Sequence, residues 1–190
     1  MELLKKRIAE DGCALSESIL KVDSFLNHQI DHVLMDRIAD EFHAKFSGSK
    51  FTKILTVESS GIAPAVLTGL KMGLPVIFAK KSQPSTMNEA VFSAPVHSFT
   101  KQKDYNISVA SKFISRGDSI LVIDDFLAHG SASMALIAIA EQGCATVDGI
   151  GIVIEKGFQN GGKILRELGY RVESLAVIEE MSENIIRFRD

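Results

Sequence analysis

Residues 119–134 read SILVIDDFLAHGSASM, and this stretch constrains the fold more than any other. Residues 120–123 are an unbroken apolar run, which suits a strand buried on both faces. Two acids follow, Asp124 and Asp125, and then a short loop with Ala128, His129 and Gly130. Ser131, Ala132 and Ser133 open an alanine-rich segment of helical character. A buried strand, a polar loop at its C-terminal end and a helix N-terminus form the repeating unit of parallel α/β proteins. In open sheets of that kind, ligands bind at this edge. Unpaired N–H groups and the positive end of the helix dipole favour phosphate there. Asp124 and Asp125 are suited to accept hydrogen bonds from sugar hydroxyls or to help hold magnesium. The same spacing also fits a plain turn capped by Asp124.

The rest of the chain repeats this plan. Residues 2–11 read as a helix stopped by Gly12. Residues 13–22 are ambiguous, with Ile19, Leu20 and Val22 suggesting a short strand. Val33, Leu34, Ile38, Phe42 and Phe46 recur at helical spacing across residues 31–46. KILTV at 53–57 is a strand that runs into Glu58, Ser59, Ser60 and Gly61, and residues 62–72 follow as a helix. On spacing alone that loop is a helix cap, with Ser59 or Ser60 in the capping place. Residues 74–79 are the next strand, 146–155 a long apolar one, and 170–178 the last. Alternation of this kind predicts one parallel twisted sheet flanked by helices, in a single domain over 1–190 with a small N-terminal hood.

Residues 80–105 break the rhythm. They carry Pro84, Pro95, many hydroxyl residues and scattered lysines, with 91–99 able to pair as a small ribbon. A segment this long without periodicity is either a lid or a solvated loop.

Composition narrows the function. Across 190 residues the formal net charge is −3, so the basic excess expected of a nucleic-acid binder is absent. No apolar run has the length of a membrane span or the form of a signal peptide. Cys13 and Cys144 lie far apart in apolar surroundings and read as reduced, packed thiols of a cytoplasmic protein.

The paired acids and the Gly130-Ser131 step resemble the signature of type I phosphoribosyltransferases. His129 and Ser131 stand where many members have threonine and glycine. VESSG at 57–61 resembles the adenine-type pyrophosphate loop of that family, with Ser60 where a basic residue often stands; the loop can hold a cis peptide. FSAPVHSFTK at 92–101 and Lys80-Lys81 resemble what the xanthine-using members carry, and that likeness runs from end to end of the chain.

The resemblance implies a type I fold and transfer of the 5-phosphoribosyl group of phosphoribosyl pyrophosphate to xanthine. It implies that Ala128, His129, Gly130, Ser131 and Ala132 hold the 5-phosphate, and that Asp124 and Asp125 hold the ribose. Glu58, Ser59, Ser60 and Gly61 would hold pyrophosphate, with magnesium bound mainly through the substrate. Leu20, Asn27 and Lys156 would hold the base, and a homodimer is implied. Phe158 fits base stacking and core packing equally. Guanine or hypoxanthine as substrate stays open. So does a purine regulator that only senses phosphoribosyl pyrophosphate, although the added DNA-binding domain of such regulators is not expected here.

Other motifs fail on chemistry. GFQNGGK at 157–163 has P-loop spacing, but Ile164 stands where the magnesium-binding hydroxyl belongs. His28 and His32 share a helical face without further metal ligands nearby. GxSxG is absent, which disfavours a serine hydrolase.

Overall fold

The computed structural model describes residues 1–81, 90–98, 103–183 and 185–189. In chain order the elements are α1 (Glu2–Asp11), β1 (Cys13–Ala14), β2 (Leu20–Lys21), α2 (His32–Lys45), β3 (Lys53–Val57), α3 (Ile62–Met72), β4 (Val76–Ala79), β5 (Val91–Ser98) and β6 (Lys103–Ala110). They continue with β7 (Ser119–Leu127), α4 (Ser131–Gln142), β8 (Thr146–Lys156), α5 (Gly161–Glu167), β9 (Val172–Ser182) and β10 (Ile185–Phe188). A π-type turn, Asp23–Asn27, leads into α2. Asp31 caps that helix, its carboxylate accepting from the Val33 and Leu34 N–H groups at 3.1 and 3.0 Å.

Six strands form the central sheet in the order β10-β9-β8-β7-β3-β4. β4, β3, β7, β8 and β9 run parallel, and β10 closes one edge antiparallel to β9. The sheet is therefore mixed, where the sequence pattern predicted parallel strands alone. The last strand is also longer than the predicted 170–178, and β10 carries no apolar run to announce it. Its burial alternates between exposed and half-buried, as suits an edge.

Strand β7 accounts for the double-sided core. Leu121 and Ile123 pack with Phe42, Phe46 and Ile38 of the α1–α2 side. Ile120 and Val122 pack on the other face with Leu136 and Ile139 of α4, Val96 and Ile107 of the ribbon and Leu165 of α5. A strand covered on both faces needs an uninterrupted apolar run, which is what residues 120–123 supply.

From β3 the chain winds outward to β4, and from β7 it winds the opposite way to β8 and β9. The order thus reverses between β3 and β7, and a crevice opens beyond their C-terminal ends. Both loops singled out in the sequence leave the sheet there.

Four local expectations change. β7 continues through both acids to Leu127 rather than stopping before them, because its neighbour β8 extends to Lys156 and keeps the ladder paired. The cysteines are free and exposed, not packed. β1 turns Ala14 inward and hence Cys13 outward, and Cys144 sits in the turn after α4 with φ 55°. From the sequence alone residues 164–168 read as a short helix, but α5 begins earlier, at Gly161. The segment after residue 80 is a ribbon over much of its length, β5 pairing antiparallel with β6 from Val91↔Ala110 to Ser98↔Lys103. The remainder of the expected lid, with Pro84 and Lys101, lies outside the described residues.

Candidate active site

A cleft of about 670 Å³ occupies the crevice. Its floor is the end of β7. Asp124 and Asp125 both line it, at 4% and 8% exposure. The Asp125 N–H donates to Asp124 Oδ1 at 3.0 Å. Burial, and then the adjacent Asp125 charge, push the Asp124 carboxyl well above the usual range, while Lys81 opposes the shift. Tyr105, on the ribbon side of the cleft, is raised by burial and by Asp124. The floor is thus a crowded acidic site that favours hydroxyl donors or a cation.

Residues 128–132 form one rim, and all five line the cleft. Gly130 has φ 85°, a conformation that a side chain would strain, and it delivers the chain into α4, whose first residues Ser131, Ala132 and Ser133 line the cleft. Behind this rim lies the start of α5. The Gly161 N–H donates to the Ala128 carbonyl at 3.0 Å. A Cβ at Gly161 would come within 2.6 Å of the Gly130 nitrogen and collide with the Ala128 carbonyl. Gly161→Ala is therefore expected to displace the rim and raise KM for the phosphate-bearing substrate about 10- to 100-fold. Steady-state kinetics on the folded variant check this.

The next strand end is braced from below. Glu155, 3% exposed, accepts from Arg166 Nη1 and Nη2 at 2.9 and 2.8 Å and from Ser174 Oγ at 2.5 Å. Burial pushes its carboxyl up, but the Arg166 and Ser174 hydrogen bonds outweigh this and leave it below the ordinary 4.5. The folded carboxyl then binds its proton less tightly than the unfolded one. The stabilisation is complete above about pH 4.5 and fades as pH falls through the lower native value. Arg166→Met should cost about 2 kcal/mol at pH 7, less than a fully buried pair because Arg166 is 41% exposed. Urea titrations at pH 7 and pH 3 should show that difference shrinking in acid.

The opposite rim is the loop 58–61. Its Glu58–Ser59 peptide is cis, as the family resemblance allowed. Glu58 Oε1 accepts the Lys81 N–H at 2.5 Å. Glu58 and Ser60 line the cleft, whereas Ser59 lines a second, apolar hollow of about 530 Å³. Gly61 packs against the acids, since a Cβ there would sit 3.0 Å from Asp124 Oδ1.

At the far end the β1–β2 loop reaches over the cleft. Lys156 Nζ donates to the Ser18 carbonyl at 2.6 Å and lies 5.5 Å from the Phe126 ring centroid. Burial lowers the Lys156 pKa, and Asp125 opposes that shift. Of the three expected base contacts only Lys156 lines this cleft. Leu20 is turned inward by β2 and is 8% exposed within the core, so Ser18 and Ile19 take its place at the cleft wall. Asn27, at the end of the π-type turn, lines the second hollow with Ile30, Ile62 and Val66. Phe158 is 39% exposed and lies outside the cleft lining; the aromatic there is Phe126.

Phe126, Gln159, His97 and Tyr105 also line the cleft and were missed in the sequence. His97 Nδ1 lies 2.6 Å from Asp104 Oδ1 across the ribbon. Phe126 alone had a local signal, as the residue directly after the acids on a strand that continues.

Among the described residues no three His, Cys, Asp or Glu side chains group as a metal site. The two carboxylates of the floor are hard oxygen donors. They fit magnesium, which commonly takes one or two carboxylates and completes its shell with substrate phosphate and water.

A switch-point crevice with paired acids at its floor, a phosphate-type rim and a second loop opposite is the arrangement that the resemblance to type I phosphoribosyltransferases implies. Solved structures agree on the fold. The adenine phosphoribosyltransferase of Trypanosoma brucei matches with TM-score 0.77 at 16% identity, over 92% of this chain and 78% of that one. That of Rhodothermus marinus matches with TM-score 0.76 at 16% identity, over 94% and 100%. No family model matches the chain. Curated relatives are far closer. The xanthine phosphoribosyltransferase of Oceanobacillus iheyensis is 54% identical over 190 residues, covering 100% of this chain and 98% of its own. That of Pseudomonas savastanoi is 53% identical over 189 residues, covering 100% of both. The chain belongs to the xanthine phosphoribosyltransferase family.

Proposed function

We infer that this chain is a purine-salvage transferase that moves the 5-phosphoribosyl group of phosphoribosyl pyrophosphate onto xanthine. The products are xanthosine 5′-monophosphate and pyrophosphate. The observation that carries this reading is full-length identity above 50% to xanthine phosphoribosyltransferases, joined to a cleft whose far end holds a lysine.

In the reaction the C1′–oxygen bond to pyrophosphate breaks, the bond from purine N9 to C1′ forms, and the base loses its N9 proton. Residues 128–132 hold the 5-phosphate on backbone N–H groups. Asp124 and Asp125 accept from the ribose hydroxyls and stabilise the positive charge that develops on the sugar. The loop of Glu58, Ser59, Ser60 and Gly61 orients pyrophosphate. Lys156 donates to an oxygen of the base. Asp124 and Asp125, together with oxygens of the substrate, would hold magnesium, which would supply neutralisation of the leaving group's charge. Most of the rate comes from holding sugar and base in line and away from water.

Residues 1–190 act as one phosphoribosyltransferase domain in the cytoplasm; among the described residues no helix is long and apolar enough to cross a membrane. The chain works as a homodimer. Ile30, Val33, Val66 and Leu70, 47 to 75% exposed, give the α2–α3 side an apolar face that a second copy would cover. The hollow containing Asn27 and Ser59 opens on that side, being lined by Ile30 and Val66.

The test is an assay of purified protein with xanthine, guanine and hypoxanthine in turn, each with phosphoribosyl pyrophosphate and with magnesium or a chelator. Xanthine should give the highest kcat/KM, and the chelator should abolish turnover. Faster use of guanine or hypoxanthine would replace xanthine as the substrate. Sedimentation velocity on the same sample reads the dimer.

A further inference from the structure

Gln159 stands three residues beyond Lys156, in the turn from β8 to α5. Its N–H donates to the Lys156 carbonyl at 2.9 Å, which folds the turn back on itself. Both side chains consequently line the same end of the cleft, with Phe126. The Gln159 amide oxygen is shut off from solvent and has no hydrogen-bond donor from the chain. Among the described residues Arg7, Thr56 and Thr68 also carry such an atom, and none of them lines this cleft. A buried carbonyl oxygen that lacks a donor is unfavourable, and native chains rarely keep one without a use.

The chemistry of a dioxopurine supplies that use. Its six-membered ring alternates carbonyls with N–H groups. An ammonium offers three donors and no acceptor, so Lys156 can meet only the carbonyls. The ring N–H groups need an acceptor beside it. A primary amide presents one acceptor and two donors in a plane, which matches an N–H next to a C=O.

Resting on the reading of this cleft as the xanthine site, we propose that Gln159 is a base-specificity residue: a turn of its side-chain amide toward the cleft lets Oε1 accept from N3–H of the dioxopurine while Nε2 donates to the neighbouring C2 carbonyl. Lys156 and Gln159 then divide the polar edge of the base, with the ring lying along Phe126. Guanine and hypoxanthine have a bare N3 where xanthine has N3–H, so they offer this pair a poorer match.

Gln159→Met tests the proposal, because it keeps length and removes both polar atoms. The variant should raise KM for xanthine roughly tenfold or more, while kcat and KM for phosphoribosyl pyrophosphate stay within about twofold. Its Tm should hold or rise, since an unsatisfied buried oxygen is gone. Gln159→Glu keeps an acceptor and should lose less than the Met variant. Used as competitive inhibitors, 3-methylxanthine, which lacks that N–H, should bind wild type and Gln159→Met alike, and 1-methylxanthine, which keeps it, should bind the variant more weakly. An unchanged KM for xanthine in folded Gln159→Met overturns the proposal. So does an equal rise in KM for phosphoribosyl pyrophosphate, which would make Gln159 a support of the turn. Failure of the wild type to use xanthine would instead overturn the function proposed above, and this assignment with it.

Discussion

Asp125→Asn lowers kcat by about 10²- to 10³-fold and leaves the protein as stable as before or more so. The two effects have one origin. Asp125 lies beside Asp124 at the floor of the cleft, and both are almost wholly buried. Asp124 carries a raised pKa because of burial and the Asp125 charge. The folded protein therefore binds an extra proton between 3.8 and that raised value, and stability declines as pH rises through this window. Asn at position 125 keeps the side chain's shape and one acceptor but removes the charge that strains its neighbour. Catalysis loses the same charge where the ribosyl group becomes cationic. Steady-state kcat and Tm measured on one sample give an unambiguous outcome: near-normal turnover in a folded variant removes Asp125 from the mechanism.

Lys156→Met lowers kcat/KM for xanthine by about 10- to 150-fold, the range of a charge-assisted hydrogen bond of roughly 1.5 to 3 kcal/mol. KM for phosphoribosyl pyrophosphate should stay within about twofold, because the phosphate rim is built from 128–132 and braced by Gly161. The ammonium already donates to the Ser18 carbonyl. It has two further protons, so it can keep that tie and still donate to a base oxygen. Burial makes the free ammonium easier to deprotonate, and an oxygen-rich, readily ionised base reverses that tendency. Initial rates over a range of xanthine concentrations check this. Unaltered xanthine efficiency would reduce Lys156 to a tie for the β1–β2 loop.

Much of this architecture is legible in local sequence because the forces that set it act within a turn or a strand. The apolar run before Asp124 and Asp125 suits a strand covered on both sides, and Gly130 followed by Ser131 suits the hand-over to a helix, as the structure has them. The same holds for KILTV and the loop of Glu58 to Gly61, whose cis peptide the family resemblance had allowed. Periodicity reached α2 and α3 to within a residue, since a buried stripe recurs at a fixed angle.

What local pattern left undetermined are meetings between distant parts of the chain. Lys156 and Ser18 are separated by 138 positions and become partners only when the hood closes over β8. Gly161 matters because α5 lands against Ala128 and Gly130, a close approach that no spacing announces. Leu20 and Asn27 were expected at the cleft but face the core and a second hollow, because a two-residue strand and a single irregular turn take their orientation from what they pack on. Cys13 and Cys144 were expected inside, but the strand that holds the first and the turn that holds the second point them out. The sequence alone determined the chemistry of the crevice floor and rims, since strand, loop and helix start are contiguous there. The tertiary structure alone decided which side chains form the end proposed for the base, because three separate segments converge on it and only burial of the shared core sets their positions.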